Sequence, residues 1–127
     1  MAIVLHIELD EGRAAFEPGA RVGGTAAWLA RVAPAGLELR LTWASYGPGG
    51  RDFKIANVIS FDKPRAAERR PFAFTLPTAP YSFRGNLTSL VWRLQLVALP
   101  GEEKASVELT VAPDGEAIDV RTAAAGG

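Results

Sequence analysis

A chain of 127 residues, 48% of them hydrophobic, is expected to form one domain that buries enough apolar surface to fold without covalent staples. It has no cysteine, which excludes disulfides and thiolate metal sites. With 14 basic and 14 acidic residues it lacks the positive surplus on which nucleic-acid binding usually rests.

The chain opens on an alternating strand. Ile3, Leu5, Ile7 and Leu9 face one way, with Val4, His6 and Glu8 between them. His6, Glu8 and Asp10 also interrupt the apolar start before a secretory core develops, and no uncharged run approaches the roughly 18 residues of a membrane span. A soluble, cytoplasmic protein is expected. Phe16-Glu17-Pro18-Gly19 signals a turn, after which Val22, Gly24, Ala26, Trp28 and Ala30 share one face of a second strand.

Leu37, Leu39, Leu41 and Trp43 predict a third strand, ended by the irregular run Tyr46-Gly47-Pro48-Gly49-Gly50. Phe53, Ile55, Asn57, Ile59 and Phe61 predict one face of a fourth. Ala66–Arg70 has the only helix-like spacing and is too short to matter. Phe72, Phe74 and Leu76 mark a fifth strand closed by Pro77 and Pro80. Leu90, Trp92, Leu94, Leu96 and Ala98 line a long sixth, and Pro100-Gly101 turns the chain into a last strand with Val107, Leu109 and Val111. About seven short strands separated by turn signals predict an all-β, immunoglobulin-like antiparallel sandwich. We place the domain at residues 1–112 and read 113–127, rich in Ala, Gly and acids, as a flexible tail.

Little here suggests catalysis. His6 is the sole histidine, and no serine sits in a nucleophile elbow to join it. The carboxylate pairs Asp10-Glu11 and Glu102-Glu103 fall in turns without the spacing of a calcium loop, so no metal and no cofactor is expected. The glycines at Gly23-Gly24 and Gly47–Gly50 lack the Lys-Ser/Thr of a phosphate loop and read as turns. Asn86-Leu87-Thr88 matches a glycosylation sequon, which means little without a secretory signal. Trp28, Trp43 and Trp92 fall in phase with apolar faces, as core residues do; the alternative is an aromatic platform for a carbohydrate or small ligand, with Tyr46 beside it. Lys63, Arg65, Arg69, Arg70 and Arg84 could form a basic patch for an acidic peptide or a phosphate group, or simply solvate connecting loops.

Two stretches carry a family resemblance. Phe16-Glu17-Pro18-Gly19 with Val22 and Gly24 resembles the F-x-P-G-x-x-V-x-G opening of arrestin-like domains. Phe72-Ala73-Phe74-Thr75-Leu76-Pro77, then Pro80-Tyr81-Ser82-Phe83-Arg84-Gly85 and the strand around Trp92, is similar to that clan's second signature. The likeness spans about residues 3–111 and implies an arrestin-like sandwich acting as an adaptor or scaffold, as in arrestins, the related retromer subunit and bacterial sporulation-control proteins. Such domains usually come in tandem. A single copy implies that its sheet edges pair with another protein chain or with a second copy of itself. As contact residues we expect Tyr46, Arg51 and Asp52 in one loop, and Lys63, Arg65, Arg69 and Arg70 in another.

Overall fold

Period-2 patterning runs through nearly the whole chain, and the computed structural model shows strands wherever it does. It describes residues 3–85, 87–113 and 118–119, with backbone only for Arg84, Ile118 and Asp119. The strands are β1 (Ile3–Leu9), β2 (Ala15–Phe16), β3 (Arg21–Ala30), β4 (Gly36–Gly47), β5 (Gly50–Phe61), β6 (Ala67–Thr75), β7 (Phe83–Arg84), β8 (Ser89–Leu99), β9 (Glu103–Val111) and β10 (Ile118–Asp119). Seven of these are long, and they form an antiparallel β-sandwich. The smaller sheet has the order β1-β3-β6. The larger runs β5-β4-β8, and β8 then carries β9 along most of its length and β7 at its start. β2 adds to the end of β9, and β10 lies parallel to β7. The rest of the stretch after Pro113, including most of the expected flexible tail, lies outside the described residues.

The core sits between the sheets. Val22, Ala26 and Trp28 of β3 and Phe72 of β6 meet Leu37, Leu39 and Leu41 of β4 and Leu90, Trp92, Leu94 and Leu96 of β8. These are the alternating positions of each strand, so burial follows directly from the pleat. Gly23 and Gly24 are not a turn. They lie inside β3, and a Cβ at Gly24 would meet the backbone carbonyl of Glu8 and come 2.8 Å from the Phe72 ring. A side chain there would hold β1 and Phe72 away from β3, so the glycine permits the packing.

The second signature stretch builds a corner between the sheets. Leu76 is buried, and its N–H donates to the Ala20 carbonyl at 2.9 Å. The Trp92 indole donates to the Pro80 carbonyl at 2.9 Å. Ser82 joins the corner to β9 twice: its N–H donates to the Val111 carbonyl at 2.7 Å, and its Oγ accepts from the Val111 N–H at 2.9 Å. Buried polar groups are thus paired at this crossing of the chain from one layer to the other.

Candidate interaction surface

Tyr46, Arg51 and Asp52 stand on strands rather than in a loop. β4 continues to Gly47 and β5 starts at Gly50, with Tyr46 opposite Arg51 and Ser45 opposite Asp52. Only Pro48 and Gly49 turn the chain. Pro48 presets its own backbone angle, and Gly50 takes φ +122°, a value L side chains rarely adopt, so a run that looks irregular closes a tight hairpin.

β5 also departs from the expected single face. Leu41 pairs with Asn57 but Thr42 pairs with Ile55, leaving Ala56 as an extra residue in a β-bulge. Each side of a bulge keeps period 2, but the phase is inverted across it. Asn57, Ile59 and Phe61 therefore lie opposite Leu41, Leu39 and Leu37 on the core side. Phe53 and Ile55 lie opposite Ala44 and Thr42 on the outer side. Phe53 is 55% exposed, Ile55 42% and Val58 43%. Every residue from Gly50 to Val58 is exposed on this outermost strand of the larger sheet.

The adjoining outer face is well ordered by its own contacts. The Arg93 guanidinium donates to the Tyr46 hydroxyl at 3.1 Å, and the Arg51 guanidinium lies 5.7 Å from the centre of the Tyr46 ring. Thr42 and Ala44 are buried on this face, between Ile55 and Arg93 and between Phe53 and Val91 respectively. A tyrosine, two arginines and exposed apolar side chains thus share one surface beside a strand edge that is unpaired among the described residues.

The basic group is dispersed rather than collected on a loop. Ala67–Thr75 is strand, so Arg69 and Arg70 point to opposite faces of β6, and the helix-like spacing at Ala66–Arg70 is incidental. Arg70 is held by Glu68 through bonds of 2.6 and 3.1 Å, donates to the Lys63 carbonyl at 3.2 Å and lies 5.9 Å from the Trp28 ring centre. Trp28 in turn donates to the Arg65 carbonyl at 2.7 Å, and the Arg65 N–H donates to Glu68 at 2.9 Å. These bonds fasten the Lys63–Ala66 connection to the end of the sandwich. The Arg70 hydrogen bond, with the Arg65 N–H behind it, holds the Glu68 carboxyl below its ordinary value of 4.5. Arg69 forms an exposed ion pair with Glu8 at 3.2 Å, and Lys63 and Arg65 lie on the connection itself. The Arg84 side chain lies outside the described residues, as does Asn86 of the sequon.

The tryptophans do not form a platform. Trp92 is fully buried and Trp28 nearly so, while Trp43 is half-buried against the core. His6 is exposed on β1, opposite Ala27. Among the described residues, no helix is long and apolar enough to cross a membrane. The signal that sequence reasoning missed is the outward-facing pair Phe53 and Ile55, because a bulge leaves no mark in a two-residue alternation.

No family model and no curated protein matches this chain. Among solved structures it is similar to the sporulation control protein Spo0M from Bacillus subtilis, at 20% identity and a TM-score of 0.62. That match covers 88% of this chain and 50% of Spo0M, so the chain spans about half the length of that protein. The likeness extends to the β-sandwich. Looser similarities reach a β-glucosidase from Listeria innocua, at 13% identity and TM-score 0.47 over 92% of this chain and 16% of that one. The alkylpurine DNA glycosylase AlkC from Pseudomonas fluorescens follows, at 14% and 0.42 over 87% and 30%.

Proposed function

We propose that this chain is a non-catalytic, arrestin-like protein-binding module, an adaptor or scaffold that engages its partner through the β5 edge and the outer face beside it. The carrying observation is the exposed Gly50–Val58 strand, unpaired on one side among the described residues, with Phe53 and Ile55 exposed on the face that carries the Tyr46–Arg51 stack and Val58 exposed beyond the bulge. An apolar centre flanked by tyrosine and arginine has the composition of interface cores. An unpaired edge adds a row of backbone donors and acceptors that another strand can satisfy. Asp52 and Lys54 point the other way along the same edge and supply charge for orientation. Lys63, Arg65, Arg69 and Arg70 are not needed for this contact, and Arg70 is committed to holding its own connection.

The resemblance at Phe72–Gly85 supports the reading from the sequence side, and the sandwich shared with a protein named for sporulation control agrees with a regulatory role. The test is comparative affinity capture from a native extract. Wild type is expected to retain one or more proteins that a Phe53→Ser/Ile55→Ser double variant loses, while Val4→Ser, on the other sheet, keeps them. Identical retention by wild type and the double variant, or no retained protein at all, overturns this assignment of the surface.

A further inference from the structure

The four long margins of the sandwich are not equivalent. β1 and β9 lie alongside each other, with the Ile3 N–H directed at the Glu103 carboxylate at 3.4 Å, and β2 covers the end of β9. On the opposite side, β6 carries Pro71, which has no N–H to offer, next to Glu68, Arg69 and Arg70. β5 has no proline from Gly50 to Phe61, and its bulge falls at Ala56. The segment Gly50–Ile55 is therefore regular, paired with β4 on one side and, among the described residues, unpaired on the other.

The sequence of that segment selects its occupant. In an antiparallel pair related by a two-fold axis, opposed residues must share a face, so one residue always lies opposite its own copy. Centring on Arg51, Asp52 or Lys54 sets identical charges against each other, which is destabilising. Centring on Ile55 runs the ladder into the bulge. Centring on Phe53 sets Phe53 against Phe53, Asp52 against Lys54 twice, and Arg51 against Ile55 twice. Asp52 and Lys54 share one face of the edge, and Phe53, Ile55 and Arg51 the other, so both faces of the junction are complementary. We propose that a second copy of this chain pairs with it, β5 to β5 and antiparallel in the register centred on Phe53, so that the larger sheet continues across a two-fold axis. This rests on the reading of the β5 edge as a protein-binding surface and names its partner.

The test uses the purified full chain. Sedimentation equilibrium over roughly 1–200 µM, where a small edge contact associates, is expected to show the mass rising from 13.5 kDa toward twice that value. Asp52→Lys and Lys54→Asp each set like charges opposite one another and are expected to weaken association roughly tenfold or more. An equimolar mixture of the two variants restores every opposed pair, so it is expected to associate as wild type does, as is the doubly exchanged chain. Because the chain has no cysteine, Phe53→Cys is expected to give a disulfide-linked dimer on mild oxidation, and faster than Lys54→Cys does. Monomer at every concentration overturns the proposal. So does a dimer indifferent to both charge exchanges, or variants whose mixture stays monomeric. If it is overturned while Phe53→Ser/Ile55→Ser still abolishes capture of a cellular partner, the edge binds a different protein and the functional reading stands without this one.

Discussion

At Ser82 a single hydroxyl ties the corner to β9. It accepts the Val111 N–H in a setting where neither group reaches water, and its own N–H returns a bond to the Val111 carbonyl. Ser82→Ala deletes the acceptor and strands a buried donor, a change that costs about 1–3 kcal/mol. Urea denaturation checks this as a lower midpoint with an unchanged slope. Glu68 belongs to a different class, since its partners act mainly on its charge. Arg70 and the Arg65 N–H favour the ionised carboxylate and hold its pKa below 4.5 in the folded chain. The stabilisation is therefore complete above the unfolded value and disappears as pH falls through the lower folded one. Glu68→Gln is expected to be less stable than wild type at neutral pH and to lose less stability on acidification below about 4.5. Denaturation curves at a series of pH values measure both effects. Equal slopes for the two proteins in that range would show that the pairing contributes nothing on folding.

At the scale of elements, glycine and the bulge decide what alternation alone cannot. Gly24 lets β3 take Phe72 and the Glu8 carbonyl at a separation that admits no Cβ. Gly24→Ala is expected to cost roughly 2–3 kcal/mol by overpacking, since the nearest obstacle is backbone and cannot turn aside. For a chain of this length that is a fall in Tm of about 5–10 °C, read by calorimetry. Most of the sandwich is legible from the sequence for the same reason that it folds. Leu37–Leu41 alternate without interruption and Leu90–Leu96 do so in burial, each in-phase position being buried, with Val97 the off-phase residue buried beside Leu96 and Ala98. The proline-bounded corner at Phe72–Gly85 is legible as well, because Pro77 and Pro80 cannot continue a ladder. The surface is legible only in part. Tyr46, Arg51 and Asp52 are neighbours as their short separation suggests, but Pro-Gly-Gly disguises a hairpin as a loop. The run from Phe53 to Phe61 looks like one continuous face because the bulge at Ala56 inverts the phase without disturbing the spacing of apolar residues. The arginines from Arg65 to Arg70 look like a patch because linear proximity does not show that a strand sends neighbours to opposite faces.

Across the whole molecule, stability is graded from the centre of the larger sheet to its margin. β4 and β8 are each paired on both sides and supply the most deeply buried leucines. Among the described residues, β5 has one neighbouring strand, and Gly50 to Val58 are all exposed. In dilute solution, amide hydrogen exchange is expected to be slowest in β4 and β8 and fastest in the β5 amides directed away from β4. Exchange in Gly50–Val58 as slow as that of β8 at low concentration would contradict this ordering.

Pro71 carries a consequence for how far such a molecule can grow. A sheet protein with receptive strands on two opposite margins is a monomer unit for fibres, since each addition presents a fresh end. Here the margin across from β5 in the other layer is blunted by a residue that cannot donate, and flanked by charge. Whatever strand docks on β5 uses up the receptive side of that copy, and nothing equivalent is left facing outward on β6. In the proposed pairing the two-fold axis itself closes the pair, and Pro71 removes a donor from the margin at which a further copy would have to add.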